Sequence, residues 1–230
     1  MRTGLVLLNK NEEISLASLL PQINQNLFSS VFCVDGNSRD SSQELIRSYG
    51  IPILIQTSTG RGNAFKIAFE EASKQDLDAL VFLSTDGNEN PHDLSRHLAL
   101  LSSGADLTIA SRMMRESFNE EDNSLFRPRK WANKLFMWCI YLAFAKGQIR
   151  ITDPINGYRA IRREVWTDLN LDAEGFDIEF QMSIRAYKAR LRVSEFPTIE
   201  GPRIGGKSGA TAIKTTKRLI SIFVRELFKD

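Results

Sequence analysis

The sequence predicts an α/β fold: one domain with a mostly parallel central sheet and helices on both faces. Three observations carry this. Short apolar runs rich in β-branched and aromatic residues recur, segments of helical period separate them, and the connections are short. Two of the runs end in acidic, glycine-containing turns. Val31-Phe32-Cys33-Val34 leads into Asp35-Gly36-Asn37-Ser38-Arg39-Asp40, and Leu80-Val81-Phe82-Leu83 into Ser84-Thr85-Asp86-Gly87-Asn88. Ligands of open α/β sheets bind at the carboxyl ends of the strands, so both carboxylates fall where a nucleotide crevice forms.

Each element has a local reason. Gly4 to Leu8 is an apolar opening strand, Ile14, Leu16, Leu19, Leu20, Ile23 and Leu27 keep a helical period, and the run to Val34 is a strand. Ser41-Ser42-Gln43-Glu44 reads as a capped helix start. Ile51 to Ile55 is strand-like with Pro52 near its start, Asn63 to Lys74 is an amphipathic helix, Ala79 to Leu83 a strand, and Pro91 to Leu101 a helix with proline in its first turn. Asp106 to Ala110 closes the repeated units. Beyond it the pattern is less regular. Met113 to Arg129 is polar and loop-like, a long apolar-faced helix follows through Ala145, and Asp153 to Arg159 is a turn feeding a short strand. Phe176 to Ala189 has helical spacing and Leu191 to Phe196 alternates as a strand. Gly201 to Gly209 is a glycine-rich loop whose Arg203 and Lys207 are placed to clamp phosphate. Residues 1–209 make the expected domain, followed at 210–230 by a basic amphipathic helix.

Composition narrows the function. At 230 residues and 42% hydrophobic content the chain can bury a sizeable core. Its 30 Lys+Arg against 28 Asp+Glu leave a net charge of +2, which excludes a bulk electrostatic grip on nucleic acid. Cys33 and Cys139 sit in apolar runs without metal-ligand spacing and read as small buried hydrophobes, in keeping with a reducing cytoplasm. The opening apolar stretch is too short for a secretory leader, and no segment reaches the ~20 apolar residues of a bilayer span.

The order of motifs resembles the family 2 glycosyltransferases of GT-A, Rossmann-like fold, and within them the dolichyl-phosphate mannose synthase-like branch that acts on polyprenyl phosphates. Lys10-Asn11-Glu12 stands where that family has a Tyr-Asn-Glu-like turn. Val34-Asp35-Gly36-Asn37-Ser38-Arg39-Asp40 resembles its Val-Asp-Asp-Gly-Ser-x-Asp, and Gly60-Arg61-Gly62-Asn63-Ala64 its Gly-x-Gly-x-Ala helix start. Ala110-Ser111-Arg112 is similar to Gly-Ser-Arg, Asp153 to Ile161 to Asp-x-x-Ser-Gly-Phe-Arg-Ala, and Arg203 to Ser208 to Arg-x-x-Gly-x-Ser-Lys. The likeness runs in one order from residue 5 to about residue 209.

The resemblance implies an enzyme that moves a sugar, with inversion, from a nucleoside diphosphate sugar to an acceptor, expected to be a polyprenyl phosphate. Asn11, Glu12, Asp35, Ser84, Thr85 and Asp86 are the expected nucleotide-sugar contacts. Asp86, Arg112 and Arg203 are expected to stabilise the leaving diphosphate, and Arg127, Arg129, Lys130 and Lys207 to bind acceptor or phosphate. The family's metal-flanking Asp-x-Asp is Ser84-Thr85-Asp86 here, so Mg²⁺ or Mn²⁺ is expected on Asp86 and the Asn88 carbonyl, completed by donor phosphates and water. On this reading Ser84→Asp would tighten metal binding. Two alternatives stand beside it: a hydroxyl-acceptor enzyme of cell-surface polysaccharide synthesis using Asp177 or Glu179 as base, and a catalytically weak nucleotide-sugar-binding protein. The aromatic helix from Trp131 to Ala145 and the C-terminal helix are expected to visit the cytosolic membrane face or to form a homo-oligomer interface.

Overall fold

The computed structural model describes residues 1–123, 127–205 and 212–229. Its seven-stranded sheet has the order β3-β2-β1-β4-β6-β5-β7. The strands are β1 (Thr3–Asn9), β2 (Ser30–Asp35), β3 (Ile53–Ile55), β4 (Ala79–Ser84), β5 (Leu107–Ser111), β6 (Arg159–Arg162) and β7 (Val193–Pro197). Val6 pairs in parallel with Phe32 on one side and Phe82 on the other. Among the described residues only β6 runs antiparallel, to both β4 and β5, with Arg159 opposite Phe82 and Ile109.

Alternation along the strands feeds two cores. Val6, Phe32, Phe82, Ile109 and Ile161 face one side, covered by α3 (Arg61–Lys74), α5 (Pro128–Phe144), α6 (Arg163–Leu169), α7 (Ile178–Lys188) and α8 (Ala212–Leu227). Leu5, Leu7, Cys33, Val81, Leu83 and Ala160 face the other, under α1 (Glu13–Leu19), α2 (Ser42–Ser48) and α4 (Leu94–Ser102). Strands buried on both faces read as continuous apolar runs, which is why β4 was so visible in sequence.

Three features depart from the periodicity. The first helix ends at Leu19, because Pro21 has no N–H to continue the ladder, and 3₁₀ turns at Leu20–Gln22 and Gln25–Leu27 carry the chain to β2. The helix expected from Pro91 begins as a 3₁₀ turn, Pro91–Asp93, capped by the Asn90 side chain on the His92 N–H. Helix α6 directly after β6 was not anticipated.

The C-terminal helix, expected at 210–230, packs into the core. Leu219 and Ile222 join the core against α7. Glu226, almost fully buried, accepts hydrogen bonds from Arg185 Nε at 2.9 Å and Nη2 at 2.7 Å, and from Gln181 at 3.1 Å. With α8 on its outer side, α7 is buried from Ile178 to Tyr187.

Candidate nucleotide-sugar site

A cleft of about 510 Å³ opens at the carboxyl ends of β1, β2 and β4, beside the N-terminus of α3. Lys10, Asn11 and Glu12 enter it from the end of β1, Gly36 from β2, and Ser84, Thr85 and Asp86 from β4; Gly60, Arg61, Phe176 and Arg203 close it. Gly60 and Gly62 are required where the chain returns beneath α3, since a Cβ on either would collide with the carbonyl oxygens of Glu174 or Ala173. Asn11 adopts φ 55° and is tied to the next loop by hydrogen bonds to Ser38 and Arg39.

Arg203 spans this cleft. Its Nη1 donates to Asp86 Oδ2 at 2.9 Å and its Nη2 pairs with Glu12 Oε1. The loop carrying Arg203 is fixed at both ends, with Ile204 N–H on the Asp86 carbonyl at 3.0 Å and Gly201 N–H on the Asn88 carbonyl at 2.9 Å.

A second cation sits at the strand end. Arg61, the first residue of α3, reaches over to β4 and donates from Nη1 to Ser84 Oγ at 3.2 Å, while its Nε pairs with Glu179. Glu89 folds back onto the same serine, accepting the Ser84 N–H at 2.7 Å and lying 3.2 Å from its Oγ. Burial pushes Glu89 up to about 8 despite the opposing pull of Arg61, and the Asp86 charge adds to the rise. Sequence reasoning named Arg61 only inside a weak glycine motif and passed over Glu89. The available signal was that a basic residue in the first turn opposes the helix dipole, a local conflict that marks functional positions.

Of the expected residues, Asn11, Glu12, Ser84, Thr85, Asp86 and Arg203 meet in the cleft. Asp35 does not face it. Its fully buried carboxylate is saturated by Asn9, the Ser38 N–H and hydroxyl, and Gln43, at 2.6–3.0 Å, so it shapes the turn that presents Gly36. Arg112 lies outside the lining as well. It clamps buried Asp153 through Nε at 2.7 Å and Nη2 at 3.1 Å, and reaches Glu200 at 3.4 Å. Burial opposes ionisation of both partners, yet the pairing holds Asp153 below its ordinary range and Arg112 above its own. Asn88 lines a separate cavity of about 300 Å³. Its Nδ2 donates to Glu200 at 3.0 Å, and its buried Oδ1 has no hydrogen-bond partner among the described residues.

Arg127 and Lys130 converge on Asp122 at the start of α5, and the Arg129 N–H approaches Glu121 at 3.4 Å. Lys207 lies outside the described residues. The candidate bases of the hydroxyl-acceptor alternative are poorly placed. Glu179 is sealed behind Arg61, and Asp177 is turned toward Arg218 at 3.7 Å.

Among solved structures, glucosyl-3-phosphoglycerate synthase from Mycobacterium tuberculosis, in complex with phosphoglyceric acid, superposes with a TM-score of 0.72 at 17% identity, over 98% of this chain and 80% of that one. The same enzyme in complex with Mn²⁺ and uridine-diphosphate-glucose superposes with a TM-score of 0.74 at 16% identity, over 98% and 79%. These likenesses show the GT-A fold. Glycosyltransferase AglJ of Haloferax volcanii is 28% identical over 85% of this chain, and dolichol-phosphate mannosyltransferase of Pyrococcus furiosus 27% identical over 100% of it. Polyprenol monophosphomannose synthase of Mycolicibacterium smegmatis is 28% identical over 73%. The chain spans 62%, 63% and 64% of the lengths of these three relatives. The family model for glycosyl transferase family 2 matches residues 8–169, more than half of the sequence, and the chain belongs to that family.

Proposed function

We propose that this protein transfers a sugar, with inversion, from a nucleoside diphosphate sugar to a polyprenyl phosphate at a membrane surface. The observation that carries the reading is the convergence of Arg61 and Arg203 on a strand-end cleft that also holds Asp86 and Glu12. As the anomeric C–O bond breaks, negative charge gathers on the departing nucleoside diphosphate. Two guanidinium groups fixed beforehand stabilise that charge without reorganising. The acceptor class follows the names of the relatives. A polyprenyl phosphate is already an anion at neutral pH and needs no general base, which agrees with the locked position of Glu179. The basic group at the start of α5, Arg127, Arg129 and Lys130, is assigned to the acceptor phosphate, in exchange for the contacts of Arg127 and Lys130 with Asp122.

A divalent cation fits only with the donor's help. Among the described residues no group of three or more His, Cys, Asp or Glu is arranged to hold one. Whereas Asn88, expected from sequence to share it, lines the neighbouring cavity instead, Asp86 is the residue of the cleft that would hold it, beside diphosphate oxygens and water. When bound, it would neutralise the leaving diphosphate.

The membrane surface is read from α5. Trp131, Leu135, Trp138 and Leu142 are exposed along one stripe of this helix, which carries Arg129, Lys130 and Lys134 and no acidic residue. Ile220, Val224 and Leu227 are exposed on the outer side of α8. Among the described residues no helix is long and apolar enough to cross a membrane, so contact would be interfacial. Titration with UDP-, GDP-, CDP- and dTDP-sugars, with and without Mg²⁺ or Mn²⁺, followed by turnover with a polyprenyl phosphate, tests the proposal. Binding of one donor class with turnover is expected. Binding without turnover would leave a nucleotide-sugar-binding protein, and no binding would reject the site.

A further inference from the structure

Among the described residues the carboxyl group of Glu89 neither lines the cleft nor pairs with a cation, yet both its oxygens are spent on one residue at the cleft wall. One accepts the Ser84 N–H at 2.7 Å and the other lies 3.2 Å from Ser84 Oγ. Glu89 itself lines the neighbouring cavity, so it stands in the partition between the two spaces. Ser84 Oγ in turn receives Arg61 Nη1 at 3.2 Å, and Glu179 takes Arg61 Nε from the other side. The Arg61 guanidinium is therefore held at two points. One is a buried carboxylate, and the other is a hydroxyl that has no fixed orientation of its own. A serine hydroxyl rotates to suit its partners, and here Glu89 and the backbone attachment of Ser84 set where that oxygen points. Behind the guanidinium, Gly157 leaves the room it needs, since a Cβ there would overlap Arg61 Nη2 and approach Glu179.

We propose that Glu89 is a positioning residue for the diphosphate of the donor: by gripping Ser84 it fixes the hydroxyl on which Arg61 rests, and so aims the Arg61 guanidinium into the cleft. The strand end carries a neutral serine because the carboxyl group that organises it arrives from five residues later in the chain. This inference rests on the nucleotide-sugar reading of the cleft. It makes a reciprocal demand: a carboxylate placed at position 84 can hold Arg61 directly, but only once Glu89 is gone, since with both present two carboxyl groups crowd one another.

The test is calorimetric titration of the full chain with UDP, GDP, UMP and GMP in MgCl₂, with thermal melts confirming that each variant is folded. Glu89→Ala is expected to weaken binding of the diphosphate by roughly tenfold, as loss of an aimed charge-assisted contact does, with the corresponding monophosphate changing by less than about threefold. Glu89→Gln keeps an oxygen for the Ser84 N–H and is expected to stay within about threefold of the parent, because a neutral acceptor still satisfies that donor. The double variant Ser84→Asp/Glu89→Ala is expected to regain most of the diphosphate affinity. Unchanged diphosphate binding by Glu89→Ala overturns the proposal. So does a double variant that binds no better than Glu89→Ala, or an equal loss for monophosphate and diphosphate, the mark of general loosening. A parent protein that binds none of the four nucleotides overturns the nucleotide-sugar reading itself, before any variant is compared.

Discussion

Arg203 Nη1 lies 2.9 Å from Asp86 Oδ2 while its Nη2 pairs with Glu12, so one guanidinium neutralises carboxylates from the ends of both β4 and β1. The loop of residues 201–205 delivers the cation that both acidic groups share. Anything that enters the cleft with its own positive charge competes with Arg203 for Asp86.

Asp86→Ala is expected to abolish sugar transfer, at a cost of several kcal/mol in transition-state stabilisation, because it removes the one carboxylate of the Ser84–Asp86 segment. Turnover of the identified donor measures it, and a rate like that of the parent would remove Asp86 from the reaction.

Ser84→Asp alone was expected from sequence to strengthen metal binding. The Glu89 carboxyl 3.2 Å from Ser84 Oγ reverses that expectation. Burial already holds the Glu89 carboxyl up to about 8, so this site resists further negative charge, and a second carboxyl group there would crowd it; the single substitution should lower the melting temperature and should not tighten Mn²⁺. Tighter Mn²⁺ binding with an unchanged melt would contradict this account.

The contrast shows what the sequence made legible. Strand ends were visible because β1, β4 and β5 are buried on both faces and read as apolar runs. Glu12, Asp86 and Arg203 followed from motif order, although they are far apart in the chain. Asp35 and Arg112 sit in the right motifs, but which way a side chain turns depends on partners such as Gln43, Asp153 and Glu200 that no local pattern announces. Glu89 was missed for the same reason. Nothing in the spacing of Ser84 and Glu89 says that the intervening turn, with Gly87 at φ 79°, folds the carboxyl back onto the strand.

Acid should destabilise the fold in two separable windows. Burial, with Arg96 and Arg159 nearby, pushes the imidazole of His97 down to about 3 from an ordinary 6.5. The unfolded chain therefore takes up a proton that the native state refuses, and stability falls as pH drops from about 6.5 toward 3. Asp153 behaves differently. Its folded pKa lies below the ordinary 3.8, so its pair with Arg112 contributes fully at neutral pH and is lost only as pH falls below about 3.8. Urea unfolding as a function of pH should show a shallower decline above pH 4 in His97→Gln. Asp153→Asn should be weaker at pH 7 by about 3 kcal/mol, with less further loss in the acid.

Glu226→Ala is expected to cost roughly 3 kcal/mol, because it leaves the buried Arg185 guanidinium without its main carboxylate. The readout is the urea midpoint, and hydrogen exchange should quicken in both α7 and α8. A protein unaffected in α7 would show that α8 is dispensable to the core.

Vesicle sedimentation tests the surface of α5. Binding should require anionic lipid, weaken with salt, and fall on Leu135→Glu, since an interfacial helix gains about 1 kcal/mol per well-placed basic residue in addition to apolar insertion. Equal recovery in the supernatant with anionic and neutral vesicles would detach the protein from the membrane.

The reversed strand β6 also sets the order in which the chain can be completed. As synthesis proceeds from the N-terminus, β1 to β4 can assemble as soon as residue 84 has emerged, since β3, β2, β1 and β4 are consecutive neighbours. The next strand, β5, then has no adjacent partner. Both its neighbours, β6 and β7, come later, and it stays a fully buried type of segment without a place to be buried until Arg159 arrives. For some 50 residues of elongation an apolar strand edge waits exposed, a state prone to mispairing. Chains released early, before β6, should therefore aggregate rather than persist as small folded domains.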